Sequence, residues 1–240
     1  MVMDYLPGGD LMTHLQRKGT FNETETRFYI AELVEAVDYV HTQLECIHCD
    51  IKPDNIAFDA RGHIRLIGLG ACVPVAAAGA ARRREILGTP DYAGPEMYGG
   101  GDIGKEHDWW SVGAIMFEML FGGPPFSDEQ HDPEITGARI MRWRQHFAMP
   151  PNPRVGSKAR DLLQGLICDP QDRLTADQIR AHPFFRGVDF KKLRQMAPPI
   201  KPKVAGPLDT SNFDDFNEAG AQYDVTFARH QVVKDPSLFA

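Results

Sequence analysis

Cysteine is scarce in this sequence. The chain has four cysteines in 240 residues, too few and too scattered for a disulfide framework in a protein of this length. Such usage is typical of a reducing compartment, so we expect a cytoplasmic location, with the nucleus as the alternative. Cys46 and Cys49 have the Cys-x-x-Cys spacing that also serves zinc and redox sites, but no second Cys/His pair lies near them and we expect neither use.

Long apolar runs and an excess of positive charge are also lacking. The most apolar segment, Trp109 to Phe121, is far shorter than the about 20 residues of a membrane span, and Asp4 and Asp10 interrupt the start of the chain. We therefore expect no signal peptide, no membrane association and a largely buried helix at 109–121. The net charge of −7 argues against nucleic-acid binding, which needs a basic face. The expected partners are protein substrates or regulators.

A run of chemically capable residues occupies positions 46 to 55, Cys-Ile-His-Cys-Asp-Ile-Lys-Pro-Asp-Asn. It resembles the catalytic loop of eukaryotic protein kinases, His-Arg-Asp-x-x-x-x-Asn, with Cys49 in place of the arginine. The resemblance implies that Asp50 accepts the proton of a substrate hydroxyl, Lys52 neutralises the γ-phosphate of ATP and Asn55 binds Mg²⁺. Alone, such a run could also be an ordinary polar loop.

Further motifs follow in the order of the same family, so the resemblance covers nearly the whole chain. An ordered set is far more specific than any single motif. The tail motif, Asp209 to Phe216, is similar to that of the AGC group of Ser/Thr kinases. Together, this motif and the segment from Tyr5 to Met12 are most similar to the nuclear Dbf2-related and large tumour suppressor kinases. The motifs are Gly88-Thr89-Pro90-Asp91-Tyr92, Gly94-Pro95-Glu96, Asp108 to Gly113, Asp172 to Thr175 and Asp209 to Phe216.

The resemblance implies a mainly α (α+β) fold, a kinase C-lobe with short hairpins and an extended C-terminal tail. We expect a hinge segment at 1–9, the C-lobe at 10–186 and the tail at 187–240. No Gly-rich phosphate loop or strand lysine precedes the catalytic loop, so we expect the N-lobe to be absent from this chain.

Local patterns predict several elements. Two capping boxes, Asn22 with Glu25 and Thr175 with Gln178, predict helix starts. The other predicted elements are a strand at 1–6, a hairpin of Ile56 to Phe58 with His63 to Leu66, and an activation loop from Val73 to Arg84.

The family also implies binding residues. The backbone of Asp4 and Leu6 would face adenine, Ala57 would lie beneath the ring, and Phe213 would reach the adenine pocket.

The implied substrate residues are mostly acidic. Asp10, Asp54 and Glu118 match positions that receive basic substrate residues, and Thr89 lies in the peptide-docking segment. Taken alone, each of the three acids is more often an ordinary surface carboxylate. Two structural roles are implied as well: Asp108 braces the catalytic-loop backbone, and Arg173 pairs with Glu96.

Two replacements bear on activity. Gly68 stands where the family has the magnesium-binding aspartate, and a glycine offers no side-chain ligand. Cys49 replaces the arginine that pairs with an activation-loop phosphate in many kinases, while Glu85 stands near the regulatory serine position. One interpretation is that the phosphorylation switch has lost both its arginine, at Cys49, and its regulatory serine, at Glu85. The other is that Cys49 is simply a small buried residue and Glu85 a solvated charge.

These observations predict a Ser/Thr protein kinase family member that uses ATP and Mg²⁺ but is inactive or impaired as this chain. The alternatives are a pseudokinase that serves as a protein-interaction scaffold, and a non-functional gene fragment.

Overall fold

The structure is a computed structural model that describes residues 3–77, 90–98, 102–128 and 132–213. These ranges are rich in helix and contain only short strands, as predicted. No helix in them is long and apolar enough to cross a membrane. The helices are α1 (Leu11–Lys18), α2 (Glu23–Thr42), α3 (Pro95–Tyr98), α4 (Glu106–Phe121), α5 (Pro133–Met141), α6 (Trp143–His146), α7 (Ser157–Leu166) and α8 (Ala176–Ala181); the strands are β1 (Cys46–Ile47), β2 (Ile56–Phe58), β3 (Ile64–Leu66) and β4 (Val73–Pro74).

Helix α4 runs through the core, and all of its residues from His107 to Leu120 are buried. The predicted buried helix at 109–121 is therefore confirmed. It packs against α2 and α7. A Cβ carbon on Gly113 would lie 2.8 Å from the Cβ of Leu166, so the glycine allows α7 to approach closely.

Both predicted capping boxes are present. Asn22 Oδ1 accepts hydrogen bonds from the amides of Thr24 (2.9 Å) and Glu25 (3.0 Å), and Glu25 Oε2 accepts from the Asn22 amide at 3.0 Å. Thr175 and Gln178 make the same reciprocal bonds at the start of α8. These caps satisfy amides that a helix leaves without internal partners.

Two small antiparallel sheets flank the catalytic loop. The predicted hairpin is confirmed: β2 pairs with β3 through Ile56 with Leu66 and Phe58 with Ile64. Strand β1 pairs with β4. Of the predicted activation loop only the part up to Ala77 lies within the described residues, and it forms β4 and one 3₁₀ turn.

The segment that precedes α1 lies along the free edge of β2. The Gly8 amide donates to the Phe58 carbonyl at 2.9 Å, and the Phe58 amide donates to the Gly9 carbonyl at 2.8 Å. The strand predicted at 1–6 is wrong for residues 3–6, because no neighbouring strand in the described chain offers them ladder hydrogen bonds.

After α8 the chain turns back across the hairpin. Arg194 Nη2 donates to the Ile64 carbonyl at 2.6 Å, and the Ile200 amide donates to the Tyr29 hydroxyl at 3.0 Å. The described tail ends at Phe213, beside the segment at 5–9.

Candidate active site

The loop between β1 and β2 brings the three predicted catalytic residues together. Asn55 Nδ2 donates to the carbonyl of Asp50 at 2.7 Å and to its Oδ2 at 2.9 Å. Lys52 Nζ lies 3.4 Å from Asp50 Oδ1. All three side chains are half-buried, so they remain accessible to a substrate.

The backbone of this loop is held from α4. The two carboxylate oxygens of Asp108 accept hydrogen bonds from the amides of His48 (2.8 Å) and Cys49 (2.9 Å). Cys49 has a φ of 64°, a left-handed conformation that non-glycine residues adopt only when their surroundings impose it. The predicted bracing role of Asp108 is confirmed.

Sequence reasoning missed the partner of Asp108 itself. His41 Nε2 lies 2.6 Å from Asp108 Oδ2, and both side chains are buried. Burial alone would raise the pKa of Asp108, but hydrogen bonds to His41 and to the His48 amide lower it below its usual value. The carboxylate therefore stays ionised and keeps accepting from the loop.

Gly68 lies directly against Asn55. A Cβ carbon on Gly68 would lie 2.4 Å from Asn55 Oδ1, and the φ of Gly68 is +82°. The Asn55 oxygen is a hard donor that suits Mg²⁺, whereas Gly68 contributes no side-chain ligand. The described residues contain no group of three His, Cys, Asp or Glu side chains placed to hold a metal ion. The donor set fits one side of a magnesium site only.

The predicted adenine-facing residues lie at the meeting point of the 3–10 segment, the hairpin and the tail. Ala57 is buried in β2 and forms a β-bridge with Asp10. Asp4 is exposed and Leu6 half-buried. The ring of Phe213 lies 5.9 Å from that of Tyr5.

Two of the predicted substrate-binding acids share one region. Glu118 is buried and accepts a hydrogen bond from the Tyr92 hydroxyl at 2.7 Å. Burial raises the pKa of Glu118 to about 7, and the charges of Asp91 and Asp54 add to the effect although the Tyr92 bond opposes it. We call Glu118, Asp91 and Asp54 the acidic cluster. Sequence reasoning missed Asp91, although it belongs to a quoted motif.

The other two predicted substrate residues are not in the acidic cluster. Asp10 caps α1, with its Oδ1 accepting from the Thr13 amide at 2.7 Å. Thr89 lies outside the described residues.

The predicted ion pair is present. Arg173 Nη1 lies 2.8 Å from Glu96 Oε1 and also donates to the Glu106 carbonyl at 2.6 Å. His107 Nδ1 lies 3.2 Å from the same Glu96 oxygen, a third partner that sequence reasoning missed. Burial alone would raise the pKa of Glu96, but the bonds to His107 and Arg173 outweigh it and lower the pKa to about 2.

A protein kinase domain profile matches residues 1–185. The chain belongs to the protein kinase family. Its relatives include a probable Ser/Thr-protein kinase ndrB of Dictyostelium discoideum, 38% identical over 264 residues, a match that covers 91% of this chain and 48% of the relative.

Two human relatives are also named as protein kinases. Ser/Thr-protein kinase MRCK alpha is 43% identical over 224 residues, covering 89% of this chain and 13% of the relative. Myotonin-protein kinase is 42% identical over 227 residues, covering 89% and 36%. The kinase chain therefore spans about half or less of the length of these relatives.

In this kinase chain, Cys49 lies in an apolar cluster with Ile47, Val73, Met97 and Ile103. Its Sγ lies 3.6 Å from the Ile47 carbonyl. This environment favours the interpretation of Cys49 as a small buried residue. Glu85, the other residue of these two interpretations, lies outside the described residues.

Proposed function

We propose that this chain is the catalytic-loop and substrate-binding part of a Ser/Thr protein kinase, impaired by the loss of one magnesium ligand. The observation that carries the proposal is the grouping of Asp50, Lys52 and Asn55. A base, a cation and a hard oxygen donor lie within hydrogen-bonding reach on a loop that Asp108 holds rigidly. A loop with only a structural role has no chemical need for this set.

Each residue then has a distinct role. Asp50 accepts the proton of the substrate hydroxyl, and Lys52 neutralises charge on the γ-phosphate of ATP. Asn55 would hold Mg²⁺, which when bound offsets charge on the transferred group. Because Gly68 supplies no ligand, the metal ion stabilises the transition state less. Losing one electrostatic contact of this kind typically costs several kcal/mol of transition-state stabilisation.

The nucleotide would lie against the hairpin. Backbone groups of Asp4 and Leu6 would bind the adenine edge, Ala57 would contact the ring, and Phe213 would close the site from the tail. The roof over the phosphates would come from a second lobe that these residues do not include. The tail motif supports membership of the AGC group, and the match to ndrB supports the nuclear Dbf2-related type.

The substrate would be a protein segment that carries Lys or Arg. Burial raises the pKa of Glu118 to about 7, so this carboxylate is ionised above that pH. The low local dielectric around it strengthens its attraction for a cation. Asp10 and Thr89 would contribute contacts outside the cluster. We propose a cytoplasmic or nuclear location for such a kinase.

The alternative is a pseudokinase that binds proteins without transferring phosphate. The geometry at Gly68 favours it, since Asn55 fills the space where a second ligand would lie. Cys49 favours it as well, because an apolar cluster replaces a phosphate-binding arginine.

Phosphoryl transfer from radiolabelled ATP to an Arg-containing peptide separates the two functions. The protein would carry the N-lobe of a related kinase, and three versions would be compared: Gly68, Gly68→Asp, and Gly68→Asp with Asp50→Asn. A gain with Gly68→Asp that disappears with Asp50→Asn supports the kinase. Absence of any Asp50-dependent gain supports the scaffold.

A further inference from the structure

A cavity of about 420 Å³ lies between the end of α2 and the start of α4, and residues from the segment at 170–177 line its third side. None of the residues that line it belongs to the catalytic loop, the adenine site or the acidic cluster. Trp109 lines the cavity, whereas Glu118 of the acidic cluster is nine residues further along α4. Nine residues of helix correspond to about 13 Å along the axis, so the cavity is a separate site.

His41 lines this cavity with one of its ring nitrogens unused. Its side chain is 2% exposed, and Nε2 lies 2.6 Å from Asp108 Oδ2. An ionised carboxylate only accepts hydrogen bonds, so we assign the proton to Nε2, and Nδ1 of the neutral ring is then an acceptor. Nδ1 has no hydrogen-bond partner among the described residues. A buried acceptor of this kind favours an occupant that carries N–H groups.

Glu106 supplies a second acceptor from the first position of α4. It is half-buried and lines the cavity. Within the part of the chain that the structure describes, its carboxylate has no hydrogen-bond or ion-pair partner. On the opposite wall, Thr42 is the last residue of α2, and the dipole of a long helix favours a cation at this end. The carboxylate and the helix end therefore both attract positive charge.

The charges around the cavity are negative on balance. Arg173 is paired with Glu96 at 2.8 Å, and Arg180 is shared by three carboxylates. Lys105 lines the cavity without an ion-pair partner among the described residues. The lining residues and their ion-pair partners comprise five carboxylates and three cations, namely Glu35, Asp38, Glu96, Glu106 and Asp177 with Lys105, Arg173 and Arg180.

We propose that this cavity binds a guanidinium cation, carried either by a small molecule or by an arginine of a protein segment. Its N–H groups match His41 Nδ1 and the Glu106 carboxylate. Trp109 and Leu174 give the cavity apolar walls. A guanidinium is more weakly hydrated than an ammonium group, so it leaves water for such a site at a lower cost. Through His41 the occupant is one side chain away from Asp108, which holds two amides of the catalytic loop.

Nuclear magnetic resonance titration of the full 240-residue chain at constant ionic strength tests this proposal. The indole N–H signal of Trp109, assigned through its loss in Trp109→Phe, reports on the cavity. Three probes are compared: agmatine as a free guanidinium, a capped Gly-Arg-Gly peptide as a protein-borne one, and a capped Gly-Lys-Gly peptide as the ammonium control. Glu106→Gln removes a charge from the cavity, Lys105→Gln removes the competing cation, and Glu134→Gln on α5 is the matched control because that glutamate is exposed.

We expect agmatine or Gly-Arg-Gly to shift the Trp109 signal. Glu106→Gln should weaken this binding about tenfold, the effect of losing one charge-assisted hydrogen bond. Lys105→Gln should strengthen it, and Glu134→Gln should leave it within about twofold. Tighter binding of agmatine would identify a small-molecule source of the cation, and tighter binding of Gly-Arg-Gly a protein source.

Three results would overturn the proposal. The first is the absence of a Trp109 shift with both guanidinium probes. The second is weaker binding in Lys105→Gln as well as in Glu106→Gln, because a merely structural disturbance would act in the same direction at both positions. The third is Gly-Lys-Gly binding as tightly as Gly-Arg-Gly.

Discussion

Gly68 and the side-chain amide of Asn55 occupy adjoining space, so that any side chain at position 68 must displace the amide. The displaced atoms belong to the end of a side chain, which can rotate. The φ of +82° at Gly68 is a region that Asp and Asn enter more readily than other non-glycine residues. An aspartate can therefore be accommodated here at a cost of order 1–3 kcal/mol.

Gly68→Asp should increase the affinity for Mn²⁺, used as a spectroscopic substitute for Mg²⁺, because a carboxylate joins the Asn55 oxygen. Gly68→Ala is the control, since it has the same Cβ contact and the same backbone cost without a ligand. Electron paramagnetic resonance titration of the free ion measures the difference. Equal affinity in the two variants would mean that the site cannot accept a second ligand.

Glu96→Ala and Arg173→Ala should each lower the free energy of unfolding by about 3–5 kcal/mol, because each leaves a buried charge without its partner. Asp50→Ala should cost less than about 1 kcal/mol, since its carboxylate is half-exposed and serves chemistry. Urea denaturation of the three variants measures these values. A similar midpoint for all three would mean that the ion pair contributes little to the fold.

The helix starts and the Glu96–Arg173 ion pair could be predicted from the sequence. Capping boxes act over three residues, so Asn22 and Thr175 reveal helix starts directly. The pairing of Glu96 with Arg173 came from motif resemblance and not from spacing, because the two residues are 77 positions apart.

The buried polar partners could not be predicted. His41 with Asp108, His107 with Glu96, and Glu32 with His63 join elements that meet only through tertiary packing. Their sequence neighbourhoods carry no periodic or capping signal. The same limit applies to Glu118, which the sequence allows as either a substrate-binding or a surface carboxylate. Its hydrogen-bond partner Tyr92 lies outside α4 and is brought to it only by tertiary packing.

The ionisation of Glu118 should make stability depend on pH. Its pKa is raised to about 7, chiefly by burial, from a usual value of 4.5, so the folded protein binds more protons than the unfolded chain between these pH values. Stability should therefore fall as pH rises from about 4.5 to about 7. Glu118→Gln, which resembles the neutral acid, should remove this component and be the more stable protein at pH 8.

Thermal unfolding across pH 5 to 8 checks the Glu118 prediction. Glu134→Gln is a suitable control because it removes an exposed glutamate from α5. The interpretation fails if both variants change the pH profile to the same extent.

Cys49→Arg should destabilise the protein by several kcal/mol, although arginine is the residue that the family carries there. The side chain would enter the apolar cluster of Ile47, Val73, Met97 and Ile103, where an unpaired guanidinium is costly. Cys49→Ala should cost only about 1 kcal/mol, as for loss of a small buried side chain. Chemical denaturation distinguishes them, and an arginine variant as stable as the alanine variant would show that a charged partner lies within reach.

Asn212 should fix the segment that leads to the proposed adenine site. Its Nδ2 donates to the Pro7 carbonyl at 2.9 Å and to the Lys203 carbonyl at 2.8 Å, from a buried position. A Cβ carbon on Gly9 would lie 2.5 Å from the Asn212 carbonyl oxygen, so the tail and this segment are in direct contact. Loss of the amide leaves two carbonyl groups without this donor, at a cost of about 1–3 kcal/mol.

Asn212→Ala should therefore speed hydrogen exchange at 3–10, and Asn212→Asp should speed it further because a carboxylate would face both carbonyls. Ser211→Ala, a change at the exposed neighbouring residue, should have no effect. Exchange in α4 should stay unchanged in all three variants, since the Asn212 amide bonds to the Pro7 and Lys203 carbonyls, whereas the buried α4 packs against α2 and α7. If the alanine variant exchanges at 3–10 as slowly as the wild type, the amide does not hold this segment, and the strand edge at Phe58 alone keeps it in place.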